Sequence, residues 1–163
     1  MPTGIVIVGL GPGSPEQITL QAWRTLEGAG QVYLRTKHHP VVPELPQSST
    51  YESFDPIYEQ TETFEEVYTE IARRIVALGQ RPEGVVYAVP GDPLIGETSV
   101  QRILALAKEA GVPVRVVPGV SFLEPTVRAL GLDPFYGLQI CDATLLAQQL
   151  HPNLNPDVGA LIV

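Results

Sequence analysis

Gly4-Ile5-Val6-Ile7-Val8-Gly9-Leu10-Gly11-Pro12-Gly13-Ser14 decides how the rest of this sequence is read. Its first half is a short, unbroken, β-branched run, the composition of a strand buried on both faces of a parallel sheet. Its second half is a turn of bare and rigid residues at the strand's carboxyl end. The same pattern recurs twice. Gly84-Val85-Val86-Tyr87-Ala88-Val89 runs into Pro90-Gly91-Asp92-Pro93, and Val112-Pro113-Val114-Arg115-Val116-Val117 runs into Pro118-Gly119. Helical patterns lie between and after these runs. One is expected from about Thr19 to Gly28, with Leu20, Trp23 and Leu26 or Glu27 on one face. Thr63-Phe64-Glu65-Glu66 fits a capping box. Phe64, Val67, Ile71, Ile75 and Leu78 follow at helical spacing, with Gly79 as the stop. Val100, Ile103, Leu104 and Ala107 mark another helix ending before Gly111, and Phe122 to Leu130 a short one stopped by Gly131. Three β-turn-α repeats make an α/β fold with a parallel sheet and right-handed crossovers the economical topology.

The remaining segments are less regular. Gln31-Val32-Tyr33-Leu34 is a second strand candidate. From His38 to about Gln60, four prolines between Pro40 and Pro56 predict a surface loop with short turns. Leu138 to Asp142 reads as a weak strand and Ala143 to Leu150 as helical. The sequence stops at Gly159-Ala160-Leu161-Ile162-Val163, an apolar run where a terminus is ordinarily polar. It reads as a truncation or as a final strand inserted into the sheet, with truncation preferred.

Composition bounds the function classes. Of 163 residues, 44% are hydrophobic and 17% charged, the latter below the roughly 25% of a typical soluble domain. Ten Lys and Arg against 18 Asp and Glu leave a net charge of −8, which argues against a nucleic-acid or anionic-membrane surface. Cys141 is the lone cysteine, so no internal disulfide framework exists and no Cys/His cluster suggests zinc. No apolar run approaches the roughly 20 residues that span a bilayer, and no signal peptide is visible, so a cytoplasmic protein is expected. The apolar end and low charge suggest a homodimer.

In open α/β sheets, ligands sit beyond the carboxyl ends of the strands. Three turns lie there: Gly9–Ser14, Pro90–Glu97 and Pro118–Phe122. A dinucleotide fingerprint fails at the first, because its third glycine is Ser14 and Pro12 lacks an N–H; a Walker A loop is absent. Asp92 is the carboxylate that stands out, either as a ligand contact or as a turn aspartate bonding nearby backbone. Glu97 is read as opening a helix, where its charge suits the N-terminal dipole. His38 and His39 are read as a solvated pair, and Ser121 and Asp142 carry little weight alone. No spacing supports a Ser/His/Asp or Cys/His arrangement, so catalytic residues stay unassigned and ligand binding by backbone is the expectation.

Gly9-Leu10-Gly11-Pro12-Gly13-Ser14-Pro15, Val89-Pro90-Gly91-Asp92-Pro93-Leu94 and Val117-Pro118-Gly119-Val120-Ser121, in this order, resemble the tetrapyrrole (corrin/porphyrin) methylase family. Pro118 to Pro125, with Leu130 to Pro134 and Leu138 to Ala143, looks closer to methylase-like domains fused ahead of a MazG-type nucleoside triphosphate pyrophosphohydrolase. The resemblance implies two α/β domains flanking a cleft and S-adenosylmethionine as methyl donor. It divides the chain into an N-terminal domain, 1–118, and the truncated beginning of a second, 119–163. It places cofactor contacts on Pro12 in the first turn and on Pro90, Gly91, Asp92 and Ile95 in the second. Ser121 and Phe122 follow on the third. The implied partner is a small-molecule acceptor of tetrapyrrole type, with a non-catalytic sensing or scaffolding domain of a pyrophosphohydrolase fusion as the alternative. Two positions depart from the family pattern: Ser14 stands where an aspartate is usual, and Phe122 is larger than the small residue usual there.

Overall fold

The computed structural model describes residues 4–61 and 63–163 and divides the chain into two compact units, Met1–Phe122 and Leu123–Val163. The first is a three-layer α/β unit. Strands β1 (Ile5–Gly9), β2 (Gln31–Leu34), β3 (Thr50–Ser53), β4 (Val85–Val89) and β5 (Val114–Val117) form one sheet in the order β3-β2-β4-β1-β5. Every pairing in it is parallel. Helices α1 (Leu20–Glu27), α2 (Asp55–Gln60), α3 (Phe64–Gly79) and α4 (Thr98–Glu109) cover it.

The strand period of two sorts the core into two layers. Ile5, Ile7, Val85, Tyr87 and Val89 pack against α3 and α4 through Ile71, Ile75, Val100 and Ile103. Val6, Val8, Val86 and Ala88 pack on the other side with Ala22, Leu26, Val41 and Leu45. Ile71 and Ile75 are fully buried, and each contributes roughly 1.5–3 kcal/mol of transfer free energy.

The helices form as expected, with local corrections. In α1 the buried positions are Ala22 and Leu26, while Leu20 is exposed. Thr19 caps it by accepting from the Ala22 N–H at 3.1 Å. At α3, Thr63 Oγ1 accepts from the Glu66 N–H and donates to the Glu66 carboxylate, so only one arm of the capping box forms. Phe64 faces solvent, stacked on Tyr68. Gly79 is the last residue of α3 rather than a left-handed cap beyond it, and a Cβ there would strike Ile5 Cγ1, so its bareness lets the helix approach β1.

The segment from His38 to Gln60 is not a plain loop. It holds a 3₁₀ turn at Val42–Glu44, the edge strand β3 and the helix α2. Pro43 and Pro56 sit in the first turns of those helices, where a missing N–H is harmless. Val41, Leu45, Phe54 and Ile57 are buried.

The second unit contains α5 (Leu123–Leu130), β6 (Leu138–Cys141), α6 (Ala143–Ala147) and β7 (Gly159–Ile162). The terminal apolar run is a strand, paired in parallel with β6. The pairing is closed by the Val163 N–H on the Cys141 carbonyl at 3.0 Å. Helix α6 ends three residues earlier than its pattern suggests, at Ala147 rather than Leu150. Among the described residues, no helix is long and apolar enough to cross a membrane.

Candidate functional site

Strand order brings the three turns together. Strands β4, β1 and β5 are neighbours, so the turns that leave their carboxyl ends share one edge of the sheet. Direct backbone bonds then join them. The Gly11 N–H donates to the Gly91 carbonyl at 3.2 Å, and the Gly91 N–H returns the bond to Gly11 at 2.8 Å. Gly119 packs so closely on Gly9 that its Cβ would stand 2.9 Å from the Gly9 Cα. Thr19 Oγ1 donates to the Pro118 carbonyl at 3.1 Å, tying the start of α1 to the third turn.

Asp92 completes the joint. One carboxylate oxygen accepts from the Leu94 N–H at 2.9 Å and the other from the Gly119 N–H at 3.1 Å. Both oxygens are committed to backbone, so its first role is to pin the second turn to the third. Asp92→Ala removes both acceptors. It is expected to cost about 1–3 kcal/mol, read as a lower urea midpoint at unchanged slope.

The other expected residues lie around this joint. Pro12, Pro90 and Gly91 are half-buried, Ile95 is exposed, and Ser121 is buried. Gly91 adopts φ +66°, a conformation that favours glycine, and nothing lies within 4 Å of where its Cβ would be. The turn therefore presents bare main chain to open space. Phe122 reaches back to the second turn, its Cε1 3.8 Å from the position of a Cβ on Gly96.

Two features of this edge were not anticipated. Glu97 opens α4 but does not cap it. Its buried carboxylate pairs with Arg35 at 3.1 Å and accepts from Ser99 Oγ at 2.8 Å. Ser99 in turn meets the buried Tyr87 hydroxyl at 2.9 Å, and Arg35 donates to Tyr58 at 3.3 Å. Burial pushes the Glu97 carboxyl above the usual carboxylate range, with Arg35 opposing it. Arg35 is held above its ordinary value because attraction to Glu97 and Tyr58 outweighs the burial that lowers it. His39 is the second surprise: His38 is exposed, but His39 is 9% exposed and packed beside the first turn. Burial, with Arg35 adding to it, holds its ring below the ordinary histidine range.

The model of the family described as Tetrapyrrole (Corrin/Porphyrin) Methylases matches residues 4–153. This chain belongs to that family. Among tetrapyrrole methylase relatives, the uncharacterized protein YabN of Bacillus subtilis (strain 168) is 42% identical over 149 residues, covering 90% of this chain and 30% of YabN. Uroporphyrin-III C-methyltransferase of Thermus thermophilus superposes with a TM-score of 0.67 at 29% identity, covering 92% of this chain and 65% of that one. A structure of the same methyltransferase complexed with S-adenosylhomocysteine gives a TM-score of 0.57 at 29% identity, over 86% of this chain and 59% of that one. The chain thus spans under a third of YabN and about two thirds or less of the solved enzyme.

Proposed function

We propose that this chain is the cofactor-binding portion of an S-adenosylmethionine-dependent methyltransferase of the tetrapyrrole methylase type. The observation that carries this reading is the open, glycine-bare edge at Gly91, locked to the first and third turns by backbone bonds and Asp92. The residues present suit such a ligand. The open space at Gly91 lets a ligand lie close against the main chain of the second turn, and Pro12, Ile95 and Phe122 supply apolar surface. S-adenosylmethionine, when bound, supplies an activated methyl group on a sulfonium. The chain's own contribution is then orientation: a rigid turn edge, fixed before the ligand arrives, fixes the direction in which the methyl points. The family and the named methyltransferase of Thermus thermophilus support the same reading. Ser121, buried at the third turn, belongs to the binding set rather than to an acid–base role. The proposed acceptor is a small molecule, with tetrapyrroles the class that the family relationship favours, and the proposed setting is a cytoplasmic homodimer.

Calorimetry of the full-length protein with S-adenosylhomocysteine tests this. Saturable one-site binding is the expected result; a folded protein that binds none would overturn the reading.

A second reading is favoured by YabN, of which 70% lies outside the match. The unit could instead sense the cofactor for a fused MazG-type pyrophosphohydrolase. In that case S-adenosylhomocysteine would change the rate of pyrophosphate release from nucleoside triphosphates, and a methyltransferase alone would show no such effect.

A further inference from the structure

A stretch beside this edge lies outside the expected contacts. Arg35-Thr36-Lys37-His38-His39 holds two of the chain's three histidines, and no other five residues carry as many Lys, Arg and His. In a chain of net charge −8, basic side chains are thus concentrated at the carboxyl end of β2. The path of the stretch follows the ligand edge. The Arg35 N–H donates to the Ala88 carbonyl of β4 at 2.9 Å, and Pro40 lies against Gly13, its Cγ 3.6 Å from where a Cβ there would sit. The chain therefore leaves β2, passes the end of β4 and reaches the first turn, bordering the second turn on the way.

Two hydrogen bonds fix its main chain. The Lys37 N–H donates to Asp55 at 2.8 Å, and the His38 N–H donates to Thr36 Oγ1 at 3.1 Å. Lys37 and His38 are both exposed, and Lys37 forms no ion pair with another described residue. The carboxylates around them already have partners. Glu97 is held by Arg35 and Ser99, Asp92 by Leu94 and Gly119, and Asp55 by the Lys37 backbone. An anion on this edge would meet an exposed cation on a main chain that is ordered before it arrives, which lowers the cost of binding.

We propose that the methyl acceptor carries a carboxylate, and that Lys37, with His38 beside it, binds that group and selects acceptors by charge. This rests on the methyltransferase reading above and adds to it the residues that recognise the acceptor. Carboxylate suits these residues better than phosphate. Phosphate sites draw on main-chain N–H groups or on an open arginine fork. Here the Lys37 and His38 N–H groups are committed, and Arg35 is divided between Glu97 and Tyr58.

The test is fluorescence titration of uroporphyrin III, a polycarboxylate, into the full-length protein saturated with S-adenosylhomocysteine. Saturable binding to the wild type is expected. Lys37→Glu reverses the charge and is expected to bind about tenfold more weakly, and Lys37→Gln with His38→Gln about fivefold. Both losses shrink at high salt. Lys108→Glu controls for net charge: Lys108 is exposed at the far end of α4 from Glu97, and its variant stays within about twofold. Melting temperatures and calorimetry show that each variant is folded and keeps its affinity for S-adenosylhomocysteine. Equal binding by wild type and Lys37→Glu, an equal loss in Lys108→Glu, or no uroporphyrin binding to a wild type that takes S-adenosylhomocysteine would overturn the inference. Each of these leaves the methyltransferase reading intact. Displacement of uroporphyrin III by a nucleoside triphosphate, lost in Lys37→Glu, would assign the residue to phosphate and overturn the inference too. A folded wild type that binds no S-adenosylhomocysteine would overturn both.

Discussion

Gly119→Ala is expected to lower stability by about 3 kcal/mol, at the upper end for an overpacked site, and to abolish S-adenosylhomocysteine binding. The added methyl would stand 2.9 Å from the Gly9 Cα and 3.0 Å from the Gly9 carbonyl carbon, with the Gly91 carbonyl oxygen closer still. All three obstacles are backbone at the ends of adjacent strands, so no side chain can rotate away. Relief requires the first and third turns to separate, which breaks the edge that the ligand would use. Gly111→Ala is the matched control. Gly111 has φ +67° but nothing within 4 Å of its Cβ position, so its cost is conformational only, about 1–2 kcal/mol, with binding retained. Urea denaturation and calorimetry on both variants check this. Equal stability losses, or retained binding in Gly119→Ala, would show that the turns are not locked together.

The second large effect belongs to the Arg35–Glu97 pair. Arg35→Met is expected to cost about 3–5 kcal/mol near neutral pH, because it strands a buried carboxylate with only Ser99 as partner. Replacing both, Arg35→Met with Glu97→Leu, should recover much of that loss, since no uncompensated charge then remains. The pH dependence follows from the direction of the Glu97 shift. Its carboxyl is already raised by burial, and removing Arg35 raises it further. The penalty is therefore full while Glu97 is ionised, and it shrinks as pH falls through the raised value and the carboxyl protonates. Thermal melts of both variants between neutral and mildly acidic pH read the effect. A deficit in Arg35→Met that does not change with pH would contradict it.

Strands β1, β4 and β5 and the turns after them were legible because the information is local. A buried parallel strand needs a continuous β-branched run, and a turn that exposes backbone needs glycine. Their adjacency was not legible, since the order β4-β1-β5 depends on which runs pair. Asp92 shows the consequence. Its sequence context left a backbone role and a ligand role open, and the backbone partner at Gly119 lies on another strand's turn. Strand β3 and helix α2 were hidden by prolines that break structure in general but open helices in particular; Pro56 does the latter. His39 was misjudged because polar residues in irregular segments are usually solvated, and only the packing of its segment on the first turn buries it. Glu97 does open α4 as read, but its burial and its pairing depend on Arg35, which follows another strand.

The three glycine-rich turns are proposed to form one prepared edge for the methyl donor. A crystal structure of the full-length protein with S-adenosylhomocysteine measures it most directly. Ligand density is expected against Pro12, Pro90, Gly91 and Ile95, with the Gly11–Gly91 bridge and both Asp92 hydrogen bonds kept. Density at any other place on the molecule, or a ligand that inserts between Gly11 and Gly91 and breaks their bridge, would contradict it.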